Sequence, residues 1–133
     1  MLFEMMIKKL EDTFPSLEYS VDREHYFISI PAKNESVGGI EIQDEMDEMI
    51  VFIGNFTHWH IGCYEQSFSE KEKFENICNQ VIAFLDDLFN DQVVMWGGKK
   101  AGGFYLKNEK PNSKSYLGFG KQNKEWVWSG EKY

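Results

Sequence analysis

The sequence predicts an α+β domain: a mainly antiparallel sheet of six to eight strands, with an N-terminal helix and a long central helix packed on it. Two stretches carry apolar residues at helical spacing, and several short stretches alternate apolar and polar residues as strands do. The strands have short connections, which favour antiparallel pairing. The 133 residues contain no linker, repeat or low-complexity tract, so one domain is expected over residues 1–133.

The opening helix is predicted from about Leu2 to Thr13. Apolar side chains recur there every three or four residues, and they form one stripe: Phe3, Met6, Ile7, Leu10 and Phe14. Pro15 is expected to end the helix, because proline disfavours helical geometry at the residue before it.

Four strands are expected to follow this helix, over residues 26–30, 39–43, 49–53 and 57–64. The second and third form a hairpin. Its connection is the acidic turn, which we define as Asp44 to Glu48. Gly54-Asn55 is expected to make the turn before the fourth strand.

The central helix is predicted from a capping box at its start and a wide apolar stripe along its length. Ser69 and Glu72 have the spacing at which each side chain satisfies a free backbone N–H of the first turn. The stripe consists of Phe74, Ile77, Cys78, Val81, Ile82, Leu85, Leu88 and Phe89. Asn90 or Asp91 is expected to end the helix.

The last third is predicted to return to strands, at residues 92–96 and 103–106, followed by a closing hairpin of 116–119 with 125–129. Gly97-Gly98 and Gly102-Gly103 are interpreted as a hairpin turn, because they precede a strand and lack the pattern of a phosphate-binding loop. Trp126 and Trp128 lie on one face of their strand, where core packing is favoured over a role as partner anchors.

The charge is unevenly distributed. Residues 1–98 hold 19 acidic and 6 basic residues, whereas residues 99–133 hold 3 acidic and 8 basic residues. The net charge of −8 disfavours nucleic acid and anionic membranes as partners and favours a cationic one.

The remaining composition predicts a cytoplasmic protein. Cys63 and Cys78 form no CxxC motif, so two reduced thiols are expected, with Cys78 inert in the core. The N-terminus lacks the pattern of a signal peptide. No apolar stretch approaches the roughly 20 residues that span a bilayer.

His58-Trp59-His60 is the first candidate site. Strand alternation puts His58 and His60 on one face, where they could bind a metal, act as an acid or base, contact a partner, or simply form surface hydrogen bonds. A zinc site needs three or four protein ligands, so no metal is predicted from this pair alone. The chain also lacks GxSxG, HExxH and GxGxxG, and neither a catalytic residue nor a cofactor is predicted.

The second candidate is an acidic cluster formed by Glu41, Asp44, Glu45, Asp47 and Glu48. It lacks the pattern of a calcium-binding EF-hand loop. A solvated turn is the simplest interpretation. The alternative is a negative patch that receives a basic protein, because crowded like charges repel each other and a cationic partner relieves that repulsion.

Three stretches carry a family resemblance: IVFIGNFTHWH at 50–60, NQVIAFLDDLFNDQVV at 79–94 and WVWSGEKY at 126–133, about a quarter of the chain. They resemble the small acidic immunity-type proteins of bacterial polymorphic toxin systems. The resemblance implies a cytoplasmic inhibitor that protects its own cell by binding a toxin domain. Nuclease toxins carry positive surface to hold phosphates, and an acidic inhibitor can occupy that surface.

The function predicted is therefore a non-catalytic protein-binding domain, monomeric or homodimeric, that neutralises a basic toxin. The predicted partner-binding residues are Glu41, Asp44, Glu45, Asp47, Glu48, His58, Trp59 and His60. One alternative is a small metal-dependent hydrolase that uses both histidines with a carboxylate of Glu41 or Asp47. Another is a structural subunit of a larger assembly, which the aromatic content of 16% permits.

Overall fold

The computed structural model describes residues 2–97, 102–109 and 124–130. Within these ranges the helices are α1 (Leu2–Thr13) and α2 (Glu70–Phe89), and a single 3₁₀ turn covers Lys107–Glu109. The strands are β1 (Ser20–Asp22), β2 (Phe27–Ile30), β3 (Ile40–Asp44), β4 (Glu48–Ile53), β5 (Thr57–Gly62), β6 (Val93–Gly97), β7 (Gly102–Leu106) and β8 (Lys124–Trp126). Two helices with antiparallel sheets confirm the predicted α+β class.

The larger sheet is a five-stranded meander in the order β1-β2-β3-β4-β5. Each strand pairs with the next because the connections are short. Alternate side chains of the central strands point to one face and are buried there: Ile28, Ile30, Ile40, Ile42, Met49, Val51 and Ile53.

Both helices pack on this buried face and contact each other. The buried stripe of α1 is Leu2, Phe3, Met6, Ile7 and Leu10. The buried stripe of α2 is Ile77, Cys78, Val81, Phe84, Leu85 and Leu88. The helical periodicity in the sequence therefore identified most of these buried residues, but it missed Leu2 and Phe84. Four residues of the predicted stripes are only partly buried: Phe14, Phe74, Ile82 and Phe89. Neither helix of the described residues has the length and apolar content needed to cross a bilayer.

The ends of α2 are capped as the sequence predicted. The Ser69 hydroxyl accepts from the Glu72 N–H, and the Glu72 carboxylate accepts from the Ser69 N–H, both at 3.2 Å. Asn90 is the C-cap residue. Asp91 follows with φ of 57°, and its carboxylate accepts the Ser129 N–H at 3.0 Å. The end of α2 thus holds the turn that follows β8.

The smaller sheet has the order β7-β6-β8, with β6 in its centre. Trp128 is buried in the main core, where its ring lies 5.6 Å from that of Phe89. The Trp126 ring lies 5.2 Å from the Phe56 ring. The predicted core packing is therefore confirmed for Trp128, whereas Trp126 is partly buried against the core.

The strand predictions need three corrections, of which the smallest is that the strand predicted at 57–64 ends at Gly62. The sequence predicted four strands before α2, but five are present, because β1 has only three residues and is recognisable mainly by its pairing with β2. The predicted strand at 125–129 ends at Trp126, because the chain turns at Ser129 toward Asp91. The predicted strand at 116–119 lies outside the described residues.

Candidate protein-binding surface

The outward side of the five-stranded sheet, called the open face here, carries most of the predicted site residues. Its side chains form two cross-strand rows. The first row is Ser20, Ser29, Glu41, Phe52 and His58, and the second is Asp22, Phe27, Gln43, Ile50 and His60. None of these side chains is buried by the described part of the chain.

The two histidines are neighbours on the open face, as strand alternation predicted. Their ring centroids lie 5.2 Å apart in an edge-to-face arrangement. The His58 ring also lies 5.9 Å from the Phe52 ring, its cross-strand partner. The histidine pair therefore continues an aromatic strip that begins in β4.

Glu48 is the carboxylate that reaches the histidine pair. One of its oxygens lies 3.1 Å from Nδ1 of His60, and the other accepts a hydrogen bond of 3.1 Å from the Tyr64 hydroxyl. Tyr64 lies over Gly62, where an added Cβ would meet the tyrosine hydroxyl at 2.7 Å. Gly62 thus leaves the space that lets Tyr64 reach Glu48.

These contacts change the acidity of both groups. The hydrogen bond from His60, and then that from Tyr64, lower the pKa of the Glu48 carboxyl below its ordinary value. The hydrogen bond to Glu48 and its negative charge raise the pKa of the Tyr64 hydroxyl. The hydrogen bond between them therefore stabilises the ionised form of Glu48 and the neutral form of Tyr64 at neutral pH.

A carboxyl titration followed by carbon-detected NMR tests this arrangement. The pKa of Glu48 is expected below the ordinary value of a glutamate carboxyl, and His60→Ala is expected to raise it more than Tyr64→Phe does, because the hydrogen bond with His60 lowers it most. Since folding lowers this pKa, the stabilisation is present above the unfolded pKa and is lost as the pH falls through the folded one. An unchanged midpoint in His60→Ala would contradict the assigned contact.

The acidic turn presents charge at one end of the open face. Asp44 is used structurally, because its carboxylate accepts the Met46 N–H at 2.7 Å. Glu45 and Asp47 project into solvent between Asp44 and Glu48. Met46 has φ of 76° and is 85% exposed. Met46 was not among the surface residues predicted from the sequence. Its position at the centre of a tight acidic turn was the available clue.

Trp59 lies on the opposite side of the sheet from the two histidines. Its ring packs 5.4 Å from that of Phe84 and 5.7 Å from that of Phe104. It also borders a groove between α2 and β7. The structure therefore does not bring Trp59 together with the other predicted partner-binding residues. Successive side chains of a strand point to opposite sides of the sheet, so the alternation that puts His58 and His60 on one side puts Trp59 on the other.

The open face combines apolar and acidic groups. Phe27, Ile50 and Phe52 are half-buried on it, a feature that the sequence analysis missed although their alternation with core residues was visible. The five strands and the acidic turn contain no lysine or arginine. Apolar side chains rimmed by polar groups of one sign are typical of a protein-binding surface.

The geometry does not assemble the predicted hydrolase site. Among the residues that the structure describes, no three His, Cys, Asp or Glu side chains are grouped to hold a metal ion. Phe52 lies between Glu41 and His58 in their row, so the histidine pair has Glu48 as its carboxylate neighbour. Cys78 is buried, and burial raises the pKa of its thiol to about 11, which keeps it protonated and unreactive.

No family model, curated protein or solved structure matches this chain. The geometry and charge of the open face are therefore the basis for a functional proposal.

Proposed function

We propose that this chain is a non-catalytic protein-binding domain that neutralises a basic partner, as an immunity protein neutralises a nuclease-type toxin. The observation that carries the proposal is the open face: five strands and an acidic turn without lysine or arginine, around half-buried Phe27, Ile50 and Phe52. In this proposal the protein acts in the cytoplasm, where it would protect its own cell.

Charge supports rapid recognition of such a partner. Glu41, Glu45 and Asp47 are exposed on the open face or its acidic turn, and no described hydrogen bond or ion pair occupies their carboxylates. Negative groups arranged in this way raise the rate of encounter with a positively charged surface. The effect weakens with salt, so binding is expected to be salt-dependent.

The apolar residues support affinity once the partner has arrived. Phe27, Ile50 and Phe52 already lose part of their hydration in the free protein, and a partner lying on the sheet would remove the remainder. Each additional Å² of apolar surface buried contributes roughly 25 cal/mol before the costs of association. The acidic groups would then provide orientation and the apolar groups much of the stabilisation.

A hydrolase is the second candidate, and the contact between Glu48 and His60 is the observation that favours it. A carboxylate that orients an imidazole is a common part of an acid–base site. The pair lies on an exposed surface, however, and the other oxygen of Glu48 is occupied by Tyr64. Hydrolysis of any small ester or phosphoester that is lost in His60→Ala would favour this candidate over binding.

The partner can be sought among the proteins encoded beside the gene for this chain. Each is expressed alone and together with this chain. The expected result is that one basic protein arrests growth and that co-expression relieves the arrest. If no neighbouring product is both toxic and bound by this chain, the immunity function is wrong.

Charge reversal then tests the surface. In Glu45→Lys/Asp47→Lys, the affinity for that partner is expected to fall about tenfold or more, and its dependence on salt to decrease, because attraction becomes repulsion. Calorimetry at about 50 and about 300 mM salt measures both effects, because surface charges are screened weakly at the lower concentration and more strongly at the higher one. These two residues are preferred because Asp44 and Glu48 have structural contacts.

Glu35→Lys/Glu75→Lys is the matched control, because it makes the same change in net charge at exposed positions outside the open face that have no described ion pair. Its expected effect on affinity is small. Equal losses in the two double variants would show that net charge matters and that the acidic turn does not.

A further inference from the structure

We propose that a cleft at the other end of the open face receives an arginine side chain of the basic partner. The cleft has a volume of about 850 Å³. Its lining includes Glu18, Tyr19, Ser20, Ser29, Glu41 and Phe52. It lies beside the β2–β3 connection and Gly54, whereas the acidic turn joins the opposite ends of β3 and β4. The inference rests on the proposed function and names the chemistry of one contact within it.

The charge of the cleft requires a cationic occupant. Glu18 and Glu41 contribute carboxylates, and the lining contains no lysine, arginine or histidine. Neither carboxylate has a hydrogen bond or ion pair among the described residues. Both side chains are exposed in the free protein, and a partner that covered the open face would remove their hydration. An unpaired buried carboxylate is costly, so the covering surface must bring its own cation.

The neighbours of Glu41 favour arginine over lysine. Phe52 is its direct cross-strand partner in β4, and Ser29 is its direct partner in β2. A guanidinium group is planar, so it can stack on the phenylalanine ring while its forked N–H groups donate to the adjacent carboxylate. An ammonium group is a compact, strongly hydrated point charge, and it lacks the planar fork that could stack on the ring and donate two parallel hydrogen bonds.

The position of the cleft also fits a partner that covers the whole sheet. Glu41 and Asp44 lie three residues apart on β3, which corresponds to about 10 Å along a strand. A basic surface could therefore engage the acidic turn and the cleft together. Phe27, Ile50 and Phe52 lie on the sheet between these two acidic regions or at the edge of the cleft. The three parts would then form one continuous interface.

Short basic peptides test the chemistry without knowledge of the partner. The full chain is titrated with capped hexa-arginine and hexa-lysine at low salt, and its backbone amide shifts are followed by NMR. Hexa-arginine is expected to bind several-fold more tightly, with shift changes at Ser29, Glu41 and Phe52, because stacking adds to charge attraction. Equal affinities for the two peptides would overturn the proposal.

Substitutions locate the contact. Glu41→Gln is expected to weaken hexa-arginine binding about threefold to fivefold, the size of one solvent-exposed ion pair. Glu35→Gln removes the same charge from an exposed position outside the cleft lining and is expected to change the affinity less than twofold. Phe52→Leu keeps an apolar side chain but removes the ring, so it should abolish the preference for arginine. Equal effects of the two glutamine variants would overturn the assignment of the cleft.

The outcomes separate this inference from the proposed function. If Glu45→Lys/Asp47→Lys weakens partner binding but Glu41→Gln does not change hexa-arginine binding, the cleft proposal fails and the proposed function stands. If the arginine preference depends on Glu41 but no neighbouring gene product binds, the immunity function fails instead. A dimer that hexa-arginine dissociates would identify a second copy of this chain as the occupant, which overturns the proposal of an external partner.

Discussion

Replacement of Phe84 by alanine is expected to lower the free energy of unfolding by about 3–5 kcal/mol. Phe84 is 5% exposed, and its ring contacts the rings of Trp59 and Phe104 at centroid distances of 5.4 and 5.2 Å. It thus joins α2 to strands of both sheets. Phe84 also lines the groove between α2 and β7, so removal of the ring would enlarge that groove and expose the rings of Trp59 and Phe104 to water.

Urea unfolding followed by tryptophan fluorescence and circular dichroism measures this loss. Phe52→Ala is the matched control, because the same ring is removed from the half-buried open face. Its expected cost is about 1 kcal/mol, since much less surface loses its contacts. If the two variants lose equal stability, the outward side of the sheet is covered in solution and the proposed binding surface is wrong.

Gly54→Ala is expected to destabilise the protein by about 2–3 kcal/mol, from backbone strain of about 1–2 kcal/mol and one weakened hydrogen bond. Gly54 has φ of 55°, a conformation that alanine rarely adopts. An added Cβ would also lie 2.2 Å from the Val37 carbonyl oxygen. That oxygen accepts the Asn55 N–H at 2.9 Å, so the collision disturbs the bond that joins two loops.

Gly54→Asn separates the two causes. Asparagine tolerates positive φ better than alanine does, but its Cβ meets the same carbonyl oxygen. It is therefore expected to retain a loss of about 1 kcal/mol from the disturbed hydrogen bond. Ser36→Ala, an exposed change in the β2–β3 connection, should stay within about 0.5 kcal/mol of the wild type. Wild-type stability in Gly54→Asn would show that the contact with Val37 relaxes freely.

The sequence by itself determined the features that depend on local periodicity. The predicted bounds of α1 match the observed ones at Leu2 and Thr13, and the capping box of Ser69 and Glu72 forms at the start of α2. Helical spacing identifies a buried stripe because each turn returns side chains to the same face. Strand alternation likewise placed His58 and His60 together.

Only the tertiary structure decided which strand contributes to which surface. The register of β4 against β3 and β5 brings Glu48 to His60 and leaves Phe52 between Glu41 and His58. No local sequence pattern specifies the register between these strands. The cleft likewise joins residues of the segment after α1 to residues of β3 and β4. Whether an apolar residue on a strand is covered depends on where the helices pack, a choice made by contacts between residues far apart in the chain.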